Sequence, residues 1–177
     1  MEATDWRLWG TFGVAVVSLV WNFANTLYTH NSAKNTRRQA VRLDEFKKSV
    51  RDPIVSAMDG CESVGSRAEA ISASAKPLAE VMADIEQLNR AAIAALNLLS
   101  DKLNDADNSS FSSLNTWLSG YDEFEEKILG CFNEACNAVN SESRRREALT
   151  RVKTIMRSFK GQLQKRHESE ITAISEA

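Results

Sequence analysis

Residues Leu8 to Tyr28 read LWGTFGVAVVSLVWNFANTLY, 21 positions without a single Asp, Glu, Lys or Arg. At 1.5 Å per residue such a helix reaches about 30 Å, the thickness of a bilayer's hydrocarbon layer. Trp6 and Trp9 stand at one end and Tyr28 at the other, where an aromatic belt meets lipid headgroups. A signal peptide calls for a basic start and a small-x-small cleavage site. Here Glu2 and Asp5 oppose Arg7, and no such site follows the apolar run. A buried core helix would carry charge on its outer face, and this stretch carries none. The expectation is one transmembrane helix over 8–29.

Basic residues fix its orientation. Lys34, Arg37, Arg38, Arg42, Lys47 and Lys48 follow the stretch, against Arg7 alone before it. The positive-inside rule then puts the N-terminus outside and the rest in the cytoplasm, at the cell's inner (plasma) membrane. Arg37, Arg38 and Arg42 are also placed to meet anionic lipid headgroups.

Within the stretch, Thr11, Ala15, Ser18, Asn22, Asn25 and Thr29 recur every three or four residues and share one helix face. Small residues let helices approach closely, and amides are costly against lipid tails. One reading is a homo-oligomer whose stripes meet, with a narrow polar path as its extreme form. The other leaves Asn22, Asn25 and Thr29 at the cytoplasmic interface.

Outward from this stretch the chain changes character. Of 177 residues, seven are Gly and two are Pro, and mean hydropathy is −0.34, so most of the chain reads as long helices of ordinary soluble composition. Helical apolar spacing predicts helices over roughly 53–74 (Ile54, Met58, Cys61, Val64, Ala68, Ile71), 77–104 (Leu78, Val81, Ile85, Leu88, Ala92, Leu99, Leu103), 111–140 (Leu114, Trp117, Tyr121, Phe124, Ile128, Cys131, Ala135, Ala138) and 141–175 (Leu149, Val152, Met156, Phe159, Leu163, His167, Ile174). Leu43, Phe46 and Val50 line one side of a continuation of the first helix up to Pro53. The fold class is therefore all-α: one N-terminal transmembrane helix, then an elongated up-and-down bundle of about four helices. In domains, that is a tail at 1–7, the transmembrane helix at 8–29, a basic juxtamembrane stalk at 30–52 and a cytosolic bundle at 53–177. His167 is expected where the last seam leaves the core for solvent.

Net charge is −2, so any electrostatic argument is local. Residues 105–142 hold eight acids against Lys127, and 144–166 hold nine bases against Glu147. Three readings stay open: complementary packing of two helices, a basic surface for an anion, or two solvated faces. The anion reading, with nucleic acid, a nucleotide or lipid headgroups as ligand, selects Arg144, Arg145, Arg146, Arg151, Lys153, Arg157 and Lys160. Arginine forks suit phosphate, and the Arg144–Arg146 run opens a helix.

No phosphate loop, nucleophile elbow or zinc-protease motif occurs. Cys61, Cys131 and Cys136 are odd in number and lack ligand spacing, so no metal, no cofactor and no catalytic residue is expected. Free thiols behaving as small hydrophobes fit a reducing compartment. In layout alone the chain resembles small bacterial membrane effectors, some of them in phage defence, that join one membrane helix to a cytosolic sensor answering nucleotide signals. That resemblance implies a non-enzymatic, homo-oligomeric effector whose partners are the bilayer, its own copies and an anionic ligand or protein. The alternative is a passive tether or scaffold presenting a helical interaction domain.

Overall fold

The computed structural model describes the backbone of residues 3–111 and 117–176 and the side chains of 16–111 and 117–176. Among them are five α-helices and no strand: α1 Ala3–Phe46, α2 Asp52–Ser72, α3 Leu78–Asp107, α4 Tyr121–Asn137 and α5 Glu142–Glu176. A π-helical turn, Lys47–Arg51, joins α1 to α2. The chain divides into two compact units, 1–42 and 43–177.

The second unit is a four-helix bundle. Helix α5 packs against α2 and α4, and α3 closes the ring between them. Contacts fix the directions: Glu69 meets Lys153 while Glu62 meets Lys160, so α2 and α5 run antiparallel. Helices α4 and α5 do likewise, since Glu134 meets Arg151 and Phe124 stacks on Phe159 at 4.2 Å between ring centroids. The expected helical bundle is what forms. Its seams are those the spacing selects: every expected α5 position from Leu149 to Ile174 is buried, as are Ile54, Met58, Cys61, Val64 and Ala68 of α2. At roughly 1.5–3 kcal/mol for each fully buried large aliphatic side chain, these seams dominate the bundle's stability.

The π turn has a local cause. Pro53 has no N–H to donate to Ser49, and its ring crowds that carbonyl. The Asp52 N–H reaches back to the Lys47 carbonyl, one residue further than in an α-helix. Widening the turn lets the chain enter α2 without breaking, and it keeps Phe46 and Val50 buried in the bundle.

Three expectations are corrected. The fourth helix starts at Tyr121 rather than near 111, because residues 117–120 form a turn that ends on Gly120 with φ +74. Glycine tolerates that left-handed backbone at no steric cost. The Asp107 carboxylate accepts the Trp117 and Leu118 N–H groups, and Arg166 donates to the Trp117 and Ser119 carbonyls at 2.8 and 2.7 Å. Expected core residue Leu114 lies outside the described residues. Leu78 is exposed, since it begins α3 beyond the end of the seam. His167 does not meet solvent: it is 5% exposed, with the Trp117 ring 5.0 Å away and Phe46 beside it. The seam continues past it to Glu170 and Ile174.

The first unit is helix alone. Val17, Leu19, Val20, Trp21 and Phe23 are each between 61 and 73% exposed. Thr26 and Thr29 turn their hydroxyls onto the Asn22 and Asn25 carbonyls at 2.7 and 2.9 Å. Among the described residues, no helix is long and apolar enough to cross a membrane. The expected span over 8–29 therefore goes unmatched in the described stretch, because Asn22, Asn25, Thr26, Thr29, His30 and Asn31 dilute it after Trp21. The side chains of 8–15, Thr11 and Ala15 included, lie outside the described residues. Ser18, Asn22 and Asn25 are exposed, as are Arg37, Arg38 and Arg42.

Candidate functional site

The α5 cations are spent in different ways. Arg151 bonds Glu134 of α4, Lys153 bonds Glu69 of α2, and Lys160 reaches Asp59 at 3.2 Å and Glu62 at 2.7 Å. The charge division between residues 105–142 and 144–166 is thus complemented in part, but mostly by α2. Asp59, Glu62 and Glu69 share a face at spacings of three and seven, matching the seven-residue interval from Lys153 to Lys160. That shared interval was present in the sequence. It has no meaning until α2 and α5 are known to be neighbours.

These pairs are exposed or half-exposed, so they select partner and orientation more than they stabilise. The Lys153 ammonium, bonded to Glu69, holds that carboxyl below its usual range. The bond from Glu62 raises the Lys160 ammonium, against the opposing effect of burial.

The Arg144–Arg146 run does not act as one patch. Consecutive helical residues point about 100° apart. Arg144 is exposed, and Arg146 pairs with Glu142 at 2.5 Å. Arg145 turns inward, 7% exposed, and donates to the Ala138 and Val139 carbonyls at 3.2 and 3.4 Å. Those carbonyls lie just past the C-terminus of α4, near the negative end of its dipole. Arg157 is exposed and acts on Glu69 only through its field.

Two of the cavities lie toward opposite ends of α2, each bordered by α5. The larger, about 550 Å³, lies near the start of α2 and is lined by Arg51, Met58, Lys160, Leu163 and His167. Burial, and then the Arg51 charge, pulls the His167 imidazole down to about 4, so it is neutral near pH 7. Among the described residues its Nε2 finds no hydrogen-bond partner. The smaller, about 350 Å³, lies at the other end of α2, between the 73–77 connection and the start of α5.

Among the described residues, no poised thiol accompanies these cavities. Burial pushes the Cys61 thiol up to about 12, and Cys131 and Cys136 also rise by burial, which disfavours the reactive thiolate. Among the described residues, no group of three or more His, Cys, Asp or Glu could hold a metal ion.

Fold and site together define a helical bundle with internally paired flanks, preceded by a helix whose described side chains over 16–42 are mostly exposed. Compared with known families, characterised proteins and solved structures, the chain matches none.

Proposed function

We propose that this chain is a non-enzymatic membrane protein, anchored once through Leu8–Tyr28, whose bundle faces the cytoplasm and acts as the regulatory part of a homo-oligomeric effector. The observation that carries it is the exposure of Val17, Leu19, Val20, Trp21 and Phe23 on one helix. Contiguous apolar surface of this kind is rare on soluble proteins and marks a membrane or protein contact. The sequence of residues 8–15 extends the same apolar character toward the N-terminus. Thr26 and Thr29, which satisfy their hydroxyls within the helix, suit a segment at or in lipid. Ser18, Asn22 and Asn25 supply the face through which copies would meet, and Arg37, Arg38 and Arg42 the cytoplasmic boundary. An anionic ligand or partner can regulate the assembly only by binding one arrangement better than another.

The test is extraction. The full chain should stay with membranes through alkaline carbonate washing and come out only in detergent. Recovery as a detergent-free soluble monomer would overturn the proposal.

A passive tether is the second reading. It is favoured by the internal pairing of Arg151, Lys153 and Lys160, which leaves less of α5 free for a partner. Replacing 8–29 with an unrelated apolar span separates the two readings. A tether keeps its function after the exchange, whereas an effector loses it while remaining at the membrane.

A further inference from the structure

The cavity at the far end of α2 concentrates positive charge. Lys76, Arg145 and Arg146 line it, against one carboxylate, Glu142, with the hydroxyl-bearing Ser72 and Ser74 at its wall. It also opens at the first turn of α5, whose N–H groups have no partner within the helix and carry the positive end of its dipole.

A helix start alone would not make a site. The second observation is Arg145, a residue only 7% exposed that forms part of the same cavity wall. It donates to two backbone carbonyls through one nitrogen. Among the described residues no carboxylate stands within ion-pairing distance of it. Carbonyl dipoles meet that side chain through one nitrogen only, and an anion in the cavity would supply a full countercharge. The other two cations can be recruited cheaply. Lys76 is held by Asp84 at 2.6 Å and Arg146 by Glu142 at 2.5 Å, in exposed pairs of little net worth.

We propose that this cavity binds a phosphate-bearing anion, held by Lys76, Arg145, Arg146 and the first-turn N–H groups of α5. Several converging donors and an excess of two positive charges in the lining suit a multiply charged phosphate better than a single carboxylate. The site supplies the anion receptor of the regulated reading and rests on that reading for its purpose. Its chemistry can be tested independently of membrane attachment.

The full chain, in neutral phosphatidylcholine nanodiscs or, where it washes free of membranes, in plain buffer, is titrated calorimetrically with inorganic pyrophosphate. The wild type should bind. The double variant Lys76→Gln/Arg146→Gln changes only exposed side chains, so folding should survive, as circular dichroism would confirm, and affinity should fall at least about tenfold. Glu142→Gln, which removes the opposing carboxylate, should bind several-fold tighter. Arg157→Gln, on the same helix but outside the cavity, should match the wild type. A second arm measures association with vesicles containing phosphatidic acid. Pyrophosphate binding lost in the double variant assigns a free phosphate compound. Vesicle association lost in the double variant, without pyrophosphate binding, assigns a lipid headgroup. No binding in either arm, or binding indifferent to the double variant, overturns the site. If pyrophosphate binds as described while the chain washes free of membranes, the site stands and the membrane reading falls.

Discussion

Gly65 of α2 and Met156 of α5 meet so closely that a Cβ on Gly65 would stand 3.0 Å from the Met156 sulfur and 3.2 Å from the Lys153 Cα. The sulfur lies on a flexible side chain and could yield, but the backbone atom could not without moving α5. Glycine in a helix interior costs about 1 kcal/mol relative to alanine, and here it lets two helices touch. Gly65→Ala should therefore destabilise the bundle by about 1–3 kcal/mol despite alanine's better helix propensity. Gly60→Ala, where nothing lies within 4 Å, should be neutral or stabilising. Urea midpoints of the two variants would show the opposite signs.

Asp107 and Arg166 together hold the turn that precedes α4, one from its N–H side and one from its carbonyl side. Asp107→Ala leaves two partly buried N–H groups without an acceptor, at roughly 1–3 kcal/mol. A loss of that size in the unfolding midpoint is expected, against a smaller loss for Asp105→Ala, whose carboxylate makes only an exposed local pair with Lys102. Equal effects would show that the Asp107 bonds do not hold the turn.

His167 sets a pH dependence. Its pKa is about 4 in the fold, against an ordinary value of 6.5. Between those values the unfolded chain binds the proton and the folded chain does not, so stability rises with pH across this window. The contribution is complete above about pH 6.5 and falls away toward pH 4, by roughly 3 kcal/mol in all. Arg51 opposes the imidazolium and Asp52 favours it. The difference in stability between wild type and His167→Phe isolates this proton from the carboxylates common to both. Wild type should lose more stability than the variant on going from pH 7 to pH 5. Parallel profiles would contradict it.

If Ser18, Asn22 and Asn25 meet their counterparts in neighbouring copies, a cysteine introduced at Asn22 should crosslink rapidly in membranes. One at Val20, on another face of the helix, should not. Cys61 and Cys131 are buried, and the half-buried Cys136 is replaced by serine in both variants so that it cannot compete. Equal crosslinking from both positions would remove the stripe as an association face.

That residues beyond about 53 are largely helical, and which side chains form most of their seams, was legible in the sequence alone. A 3.6-residue period is a local property, and Leu149, Val152, Met156, Phe159 and Leu163 declare it without reference to any neighbour. It also set out the charge asymmetry and the apolar, charge-free N-terminal stretch. Tertiary structure alone decided where those charges go. Lys160 could have paired with α4, and finds Asp59 and Glu62 about a hundred positions away because α2 and α5 lie side by side. The burial of His167 and the inward turn of Arg145 were hidden for the same reason. The start of α4 at Tyr121 followed from two long-range anchors, Asp107 and Arg166, overriding a helical spacing that continues upstream. Local periodicity fixes which face of each helix is apolar. Only contacts between residues distant in the chain fix what that face, and the polar residues along its edge, are set against.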